Sequence, residues 1–378
     1  MSGEDAVGDT GPDHEVAAYR EAGVDYATLD AAKRAALVAA RATGAAGLVA
    51  GAEFVAASRG EPAQLVSVGG VRIGVVLECL GTKSMLAGAF EEQTGEDRFA
   101  AIGYDTVAAA VNDLVCIGAL PLLVNAYFAT GSAGWYAGRR HASLIEGWQR
   151  ACEDAGALWA GGESPTLSGL IAPDEVDLAA SAVGVIPSGA PALLGDALAP
   201  GDEIVLVASS GLHANGASLA RQVARRLPDR LAHRLDSGQL LGDALLAPSR
   251  SYVALVAALQ GAGVPLHYAS HITGHGLRKL MRARRDLTYR IAALPAVPEV
   301  LAFLVRSADL APGEAYGTLN MGAGFACYVA AGAGRRCVEI AAELGLEALV
   351  AGAVEEGERR VVLEPLGVTY SGADLDLA

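Results

Sequence analysis

Basic side chains are scarce in this chain: 28 Lys and Arg stand against 43 Asp and Glu, a formal net charge of −15 with pI near 4.9. That shortage excludes a protein built to grip a nucleic-acid backbone, which needs a basic face. A local phosphate site stays open. Cysteine is also scarce, with five residues, Cys79, Cys116, Cys152, Cys327 and Cys337, and no CxxC pair among them. An odd, dispersed set reads as reduced thiols of a cytoplasmic protein rather than a disulfide framework. Long uninterrupted apolar runs are missing too. The segment 35–57 is broken by Arg41 and Glu53, and the other apolar stretch carries Asn112, Asp113 and Pro121, so no membrane span is expected. The opening residues, MSGEDAVGDTGPDH, are acidic and have the order of neither a signal nor a transit peptide. Residues 1–18 are expected to form a mobile tail.

What is present is a large core. The 378 residues are 52% hydrophobic and 19% charged, which describes a globular chain long enough for two domains. The run QLVSVGGVRIGVVL (64–77) reads as two strands joined by a Gly-Gly turn. Further strands are expected at 120–131, 157–164 and 175–186, with an amphipathic helix over 135–155 between the first two. Pro- and Gly-rich residues 187–202 read as a connection. They divide an N-terminal domain, 19–187, from a C-terminal domain, 188–378. The second half opens with a strand, a Ser-Gly-rich turn and a helix starting near Asn215 or Ser218, an arrangement that aims backbone N–H groups at an anion.

Residues 78–131 gather small polar clusters among apolar runs: Glu78 with Gly81-Thr82-Lys83, then Asp105, then Asn112-Asp113. Glu78 stands at the end of an expected strand. Asp105 is expected to open a helix on which Asn112 and Asp113 follow two turns later, on the same face. Carboxylates gathered on an apolar helix are costly to bury without a cation, and Mg²⁺ carrying a nucleotide phosphate fits that need. An N-cap Asp105 with a solvated Asn-Asp pair is the plainer alternative.

The words GTK (81–83), IGYDTV (102–107), VNDL (111–114), GALP (118–121) and AYFATG (126–131) resemble, in order and spacing, those of the phosphoribosylformylglycinamidine cyclo-ligases (aminoimidazole ribonucleotide synthetases). Similar words continue in YREAGVDY (19–26), GGES (161–164), SSGLHANGASL (209–219), LLAPSRSYV (245–253), HITGHG (271–276) and YGTLNMGAG (316–324). The resemblance implies an α/β fold of two domains, whose N-terminal mixed sheet completes a barrel across a homodimer. It implies ATP with Mg²⁺ in the cleft and a small phosphorylated substrate, whose formyl oxygen is phosphorylated before a neighbouring nitrogen closes the imidazole ring. By position it implies catalytic roles for Lys83 and His213. It implies nucleotide contacts from Gly81, Thr82, Lys83, Asn112, Gly162, Ser164 and Asn215, and metal ligation by Glu78, Asp105, Asp113 and Glu163.

The chain departs from the family pattern where Glu78 replaces Asp, Cys79 Gly, Asn125 Asp, Ser164 Thr and His275 Gly. Cys79 is expected to be a small core residue, with reactivity as the alternative. These departures keep two other readings open: a paralogue that activates a different amide or carboxylate with ATP, and a non-catalytic binding module of the same fold.

Overall fold

The computed structural model describes residues 26–43 and 48–375; the expected tail 1–18 and residues 19–25 of the YREAGVDY arm lie outside them. After helix α1 (Tyr26–Thr43), β1 (Ala52–Phe54) pairs with β2 (Gln64–Val68), which turns through Gly69-Gly70 into β3 (Val71–Cys79). Then come α2 (Lys83–Thr94), α3 (Phe99–Cys116), β4 (Leu120–Thr130), α4 (Arg139–Asp154), β5 (Leu158–Glu163) and β6 (Val176–Val185). The strands form a mixed six-stranded sheet in the order β1-β2-β3-β6-β4-β5, parallel at β4–β5.

One face of this sheet lies on α3, whose residues from Ala101 to Cys116 are all buried. The pleat sends Gly74 and Val76 inward and Val75 and Leu77 outward, and it carries Glu78 to the helix side. A Cβ on Gly74 would stand 2.9 Å from Leu114 Cδ1, so glycine lets α3 approach this closely. A second close approach fixes α3 against α4, where a Cβ on Gly147 would lie 1.8 Å from the Ala100 carbonyl oxygen. By length and composition α3 is apolar enough to cross a membrane, yet 94% of it is buried inside the fold, as in a core helix.

Asp105 does not open this helix. The helix begins at Phe99, whose backbone N–H donates to Asp97 Oδ1 at 2.7 Å, so Asp105 lies within it. The helix-forming residues 99–104 extend the pattern upstream, and Asp97 supplies the end signal expected of Asp105.

The second half contains β7 (Glu203–Ala208), α5 (Ala217–Arg226), α6 (Leu241–Leu245), α7 (Val253–Gly261), β8 (Leu266–His271), β9 (Leu287–Ile291), α8 (Glu299–Ser307), α9 (Pro312–Thr318), β10 (Ala323–Val329), α10 (Gly334–Glu343), β11 (Ala348–Glu356), β12 (Arg360–Leu363) and β13 (Val368–Ser371). Its seven strands run β13-β12-β9-β11-β7-β10-β8, with β12 and β9 parallel. Every residue of β10 is buried, which matches its unbroken run AGFACYV. The outer face of the six-stranded sheet is different: Leu77, Leu122 and Leu158 are 68%, 50% and 66% exposed, and Val71 and Val75 are also exposed.

Candidate active site

A cavity of about 400 Å³ opens between the two halves, lined by Glu78, Cys79, Gly81 and Asp113 on one side and by Asn215, His271, Thr273, His275, Lys279 and Arg282 on the other. Two helices begin at its rim. Thr82 precedes α2 and Ser218 lies in the first turn of α5, and their hydroxyl oxygens are 3.2 Å apart. Helix N-termini present unpaired N–H groups and a positive dipole end. Two of them meeting at one polar rim make an anion site.

The turn before α5 is held by Asn320. Its Nδ2 donates to Gly211 O at 2.8 Å, while its Oδ1 accepts from Ser209 Oγ at 2.9 Å and Gly322 N at 3.0 Å. Gly81 and Gly216 take φ of 69° and 98°, left-handed values that let the chain turn into each helix. His275, at φ 71°, occupies the same region without being glycine.

Beneath the helix ends lies a compact titratable group. Burial, followed by the hydrogen-bonded Asp113 carboxylate, pushes Glu78 up to about 8. Burial also opposes ionisation of Asp113, yet His271 holds it below the usual carboxylate value, with His271 Nδ1 2.7 Å from Asp113 Oδ1. Burial and the adjacent Arg282 pull Lys279 down to about 8. Lys279 Nζ also donates to Thr273 Oγ1. Burial and then Asp177 push the Cys79 thiol up, so this exposed cysteine is not an activated nucleophile.

The cavity therefore joins Glu78, Gly81, Asp113 and Asn215, with Thr82 at its rim. Lys83 and Asp105 do not reach it. They form an ion pair buried on both sides, and Asp105 Oδ1 also accepts Ser249 N at 2.6 Å. Both carboxylate oxygens of Asp105 are thus engaged, and its expected metal role is replaced by an interior pairing. Asn112 is likewise turned away from the cavity: its Nδ2 donates to Arg250 O and its Oδ1 accepts Tyr252 N, both at 2.8 Å. It clamps α3 to the loop before α7.

His213 is buried, and its Nε2 accepts Ser210 N at 3.0 Å. Burial first, then His271 and Lys83, hold it well below the usual histidine value, so it is a neutral brace of the turn. Gly162 and Glu163 end β5, three strands from β3 in the sheet, and Ser164 follows them; all three are exposed. At about 4.8 Å per strand that is about 14 Å from Glu78 within one chain. Gly162 serves the sheet there, because a Cβ on it would lie 2.0 Å from Ala126 O.

Mg²⁺ fits Glu78 and Asp113. The two carboxyls adjoin in the lining of the cleft, and Mg²⁺ takes one or two protein carboxylates and completes its shell with phosphate and water. Among the described residues there is no group of three or more His, Cys, Asp and Glu placed to hold a metal without a ligand's help. Lys279, Arg282, His271 and Asn320 are absent from the expected site. Lys279 and Arg282 had a signal, a spacing of three after the Thr-Gly-His-Gly turn, which the 3₁₀ segment Gly276–Met281 and the residue after it set on one side.

The fold and cleft define a class: a two-domain α/β protein in which two helix N-termini meet between the halves beside a buried carboxyl pair. The chain belongs to the AIR synthase related family, whose N-terminal domain matches residues 60–186 and whose C-terminal domain matches 199–364. It is 40% identical to the phosphoribosylformylglycinamidine cyclo-ligase of Sorangium cellulosum over 67% of this chain and 73% of that one. It is 38% identical to the enzyme of the same name from an Anaeromyxobacter species, over 75% and 81% of the two chains. Among solved structures, the hydrogenase maturation protein HypE in complex with ATP shares the fold at a TM-score of 0.57 and 19% identity, covering 79% of this chain and 83% of that one. A thiamine-monophosphate kinase from Stenotrophomonas maltophilia does so at 0.55 and 20%, covering 85% and 88%.

Proposed function

We propose that the chain is an ATP-dependent cyclo-ligase converting formylglycinamidine ribonucleotide to aminoimidazole ribonucleotide, with release of ADP and phosphate. The observation that carries this reading is the meeting of two helix N-termini above the Glu78–Asp113 pair, in a chain whose curated relatives bear that enzyme's name. The N–H groups at Gly81–Lys83 and Asn215–Ser218 orient the polyphosphate. Glu78 and Asp113 would hold Mg²⁺, which when bound offsets the phosphates' charge. The γ-phosphoryl group passes to the formyl oxygen of the substrate, ADP departs, and the neighbouring nitrogen attacks the activated carbon as phosphate leaves. The protein's share is positioning and electrostatic stabilisation.

The outer face of the six-stranded sheet, with Leu77, Leu122 and Leu158 exposed, supports a homodimer in which a second copy covers it. The dispersed cysteines and acidic charge support a cytoplasmic setting. Complementation of a purine-auxotrophic strain lacking its cyclo-ligase tests the reading. Growth supports it; no growth with soluble protein present counts against it.

One observation favours a second reading, a paralogue that phosphorylates a different amide or carboxylate. Lys279 and Arg282 place basic groups on the C-terminal wall of the cleft, near Glu78. Such a wall suits an acceptor that carries its own carboxylate.

A further inference from the structure

A second cavity, also about 400 Å³, lies outside the cleft in the groove between α2 and α5. Met85, Leu86 and Ala89 supply apolar lining, and Arg221, Arg225 and Arg230 line it together with Glu92 and Glu175. We propose that this groove is a second anion-binding site, which takes a hydroxyl-bearing phosphate monoester of the sugar-phosphate kind.

Three guanidinium groups in one groove are unexpected in a chain with only 28 basic side chains and a net charge of −15. Among the described residues none of the three makes an ion pair or a side-chain hydrogen bond. The nearby Arg140 is committed to Glu91. Arg221 is half-buried, and burial followed by the neighbouring Arg225 pulls it below the ordinary arginine range, while Glu175 acts in the opposite direction. Arg230 is placed at φ 45°, a left-handed value uncommon for a side-chain-bearing residue. Its segment is tied to α2 by Gln93, whose Nε2 donates to Asp229 O at 2.6 Å and whose Oε1 accepts Leu231 N at 3.1 Å.

The composition of the lining selects the ligand. Arginine forks match phosphate oxygens in pairs. Glu92 and Glu175 oppose a second phosphate but accept hydrogen bonds from hydroxyl groups. A phosphate monoester with a polyol body satisfies both kinds of group, whereas pyrophosphate brings a second phosphate against the carboxylates. The volume falls in the range of small-molecule sites.

Position gives the site a consequence. Met85 and Arg221 lie three residues beyond Thr82 and Ser218, and Ala89 and Arg225 seven, so the groove runs from about 5 to about 10 Å along each helix from the rim of the cleft. A ligand bridging α2 and α5 sets the spacing of the two N-termini. The site itself does not depend on what the cleft turns over.

Calorimetric titration of the full chain with ribose 5-phosphate, inorganic phosphate and pyrophosphate tests this. Parent protein is expected to bind ribose 5-phosphate most tightly. Arg225→Glu and Arg230→Glu, both at exposed positions and checked for an unchanged melting temperature, are expected to weaken it at least tenfold. Asn215→Ala, in the cleft, is expected to leave that binding in place. Titrations of the two arginine variants that match the parent's overturn the proposal, as does absence of ester binding. Loss of ester binding in Asn215→Ala alone places the ligand in the cleft and overturns it too. Pyrophosphate binding more tightly than the ester rejects the ligand class.

Discussion

The Lys83 ammonium and the Asp105 carboxylate pair in the interior with no solvent access to either side chain. Joining the start of α2 to the middle of α3, this pair fixes the helix whose N-terminus faces the cleft. Removing one partner strands the other charge. Lys83→Met is expected to cost about 3–5 kcal/mol in unfolding free energy, and adding Asp105→Leu is expected to restore part of it. Denaturant midpoints of the single and double variants measure both. A single variant as stable as the parent contradicts the buried pair.

Glu78 gives stability a pH dependence. Its folded value, about 8, lies above the ordinary 4.5, so the folded state binds the proton more tightly. This contribution is full below pH 4.5 and is lost as pH rises toward 8. In metal-free protein, Glu78→Gln is expected to flatten the decline in melting temperature over that window. An unchanged slope rejects the shift.

Asn112 is expected to act on the domain junction. Asn112→Ala leaves Tyr252 N and Arg250 O without their partner, at a cost of about 1–3 kcal/mol for each unsatisfied group. Hydrogen exchange of residues 249–253 is expected to quicken while exchange within β10 stays slow. Unaltered exchange there removes the clamp.

The apolar outer face of the six-stranded sheet is expected to be covered in solution by a second copy. Light scattering at micromolar concentration should give twice the chain mass, and Leu77→Lys with Leu122→Lys should give monomers. A monomeric parent contradicts the dimer.

Much of this architecture was legible because it is local. The alternation in 64–77 and its Gly-Gly turn yield β2 and β3, and the strand–turn–helix at 203–226 yields β7 and α5. The site was less legible because its partners are distant in sequence. Nothing near Asp105 announces that Lys83 and Ser249 will take both its oxygens, and nothing near Asn112 announces Tyr252. On a helix face that looks like a metal site in isolation, Asp105 and Asn112 become docking groups for the second domain, and only Asp113 is left in the cleft. Glu163 illustrates the converse: its motif reads as part of the cluster, but strand order sets it at the far edge of the sheet.

The central claim is that this cleft couples ATP cleavage to ring closure. Purified protein given ATP, Mg²⁺ and formylglycinamidine ribonucleotide should be assayed in parallel for ADP and for aminoimidazole ribonucleotide. The account predicts equal amounts of both, with neither formed by Asp113→Ala. ADP release that yields no imidazole product and awaits another acceptor would contradict it.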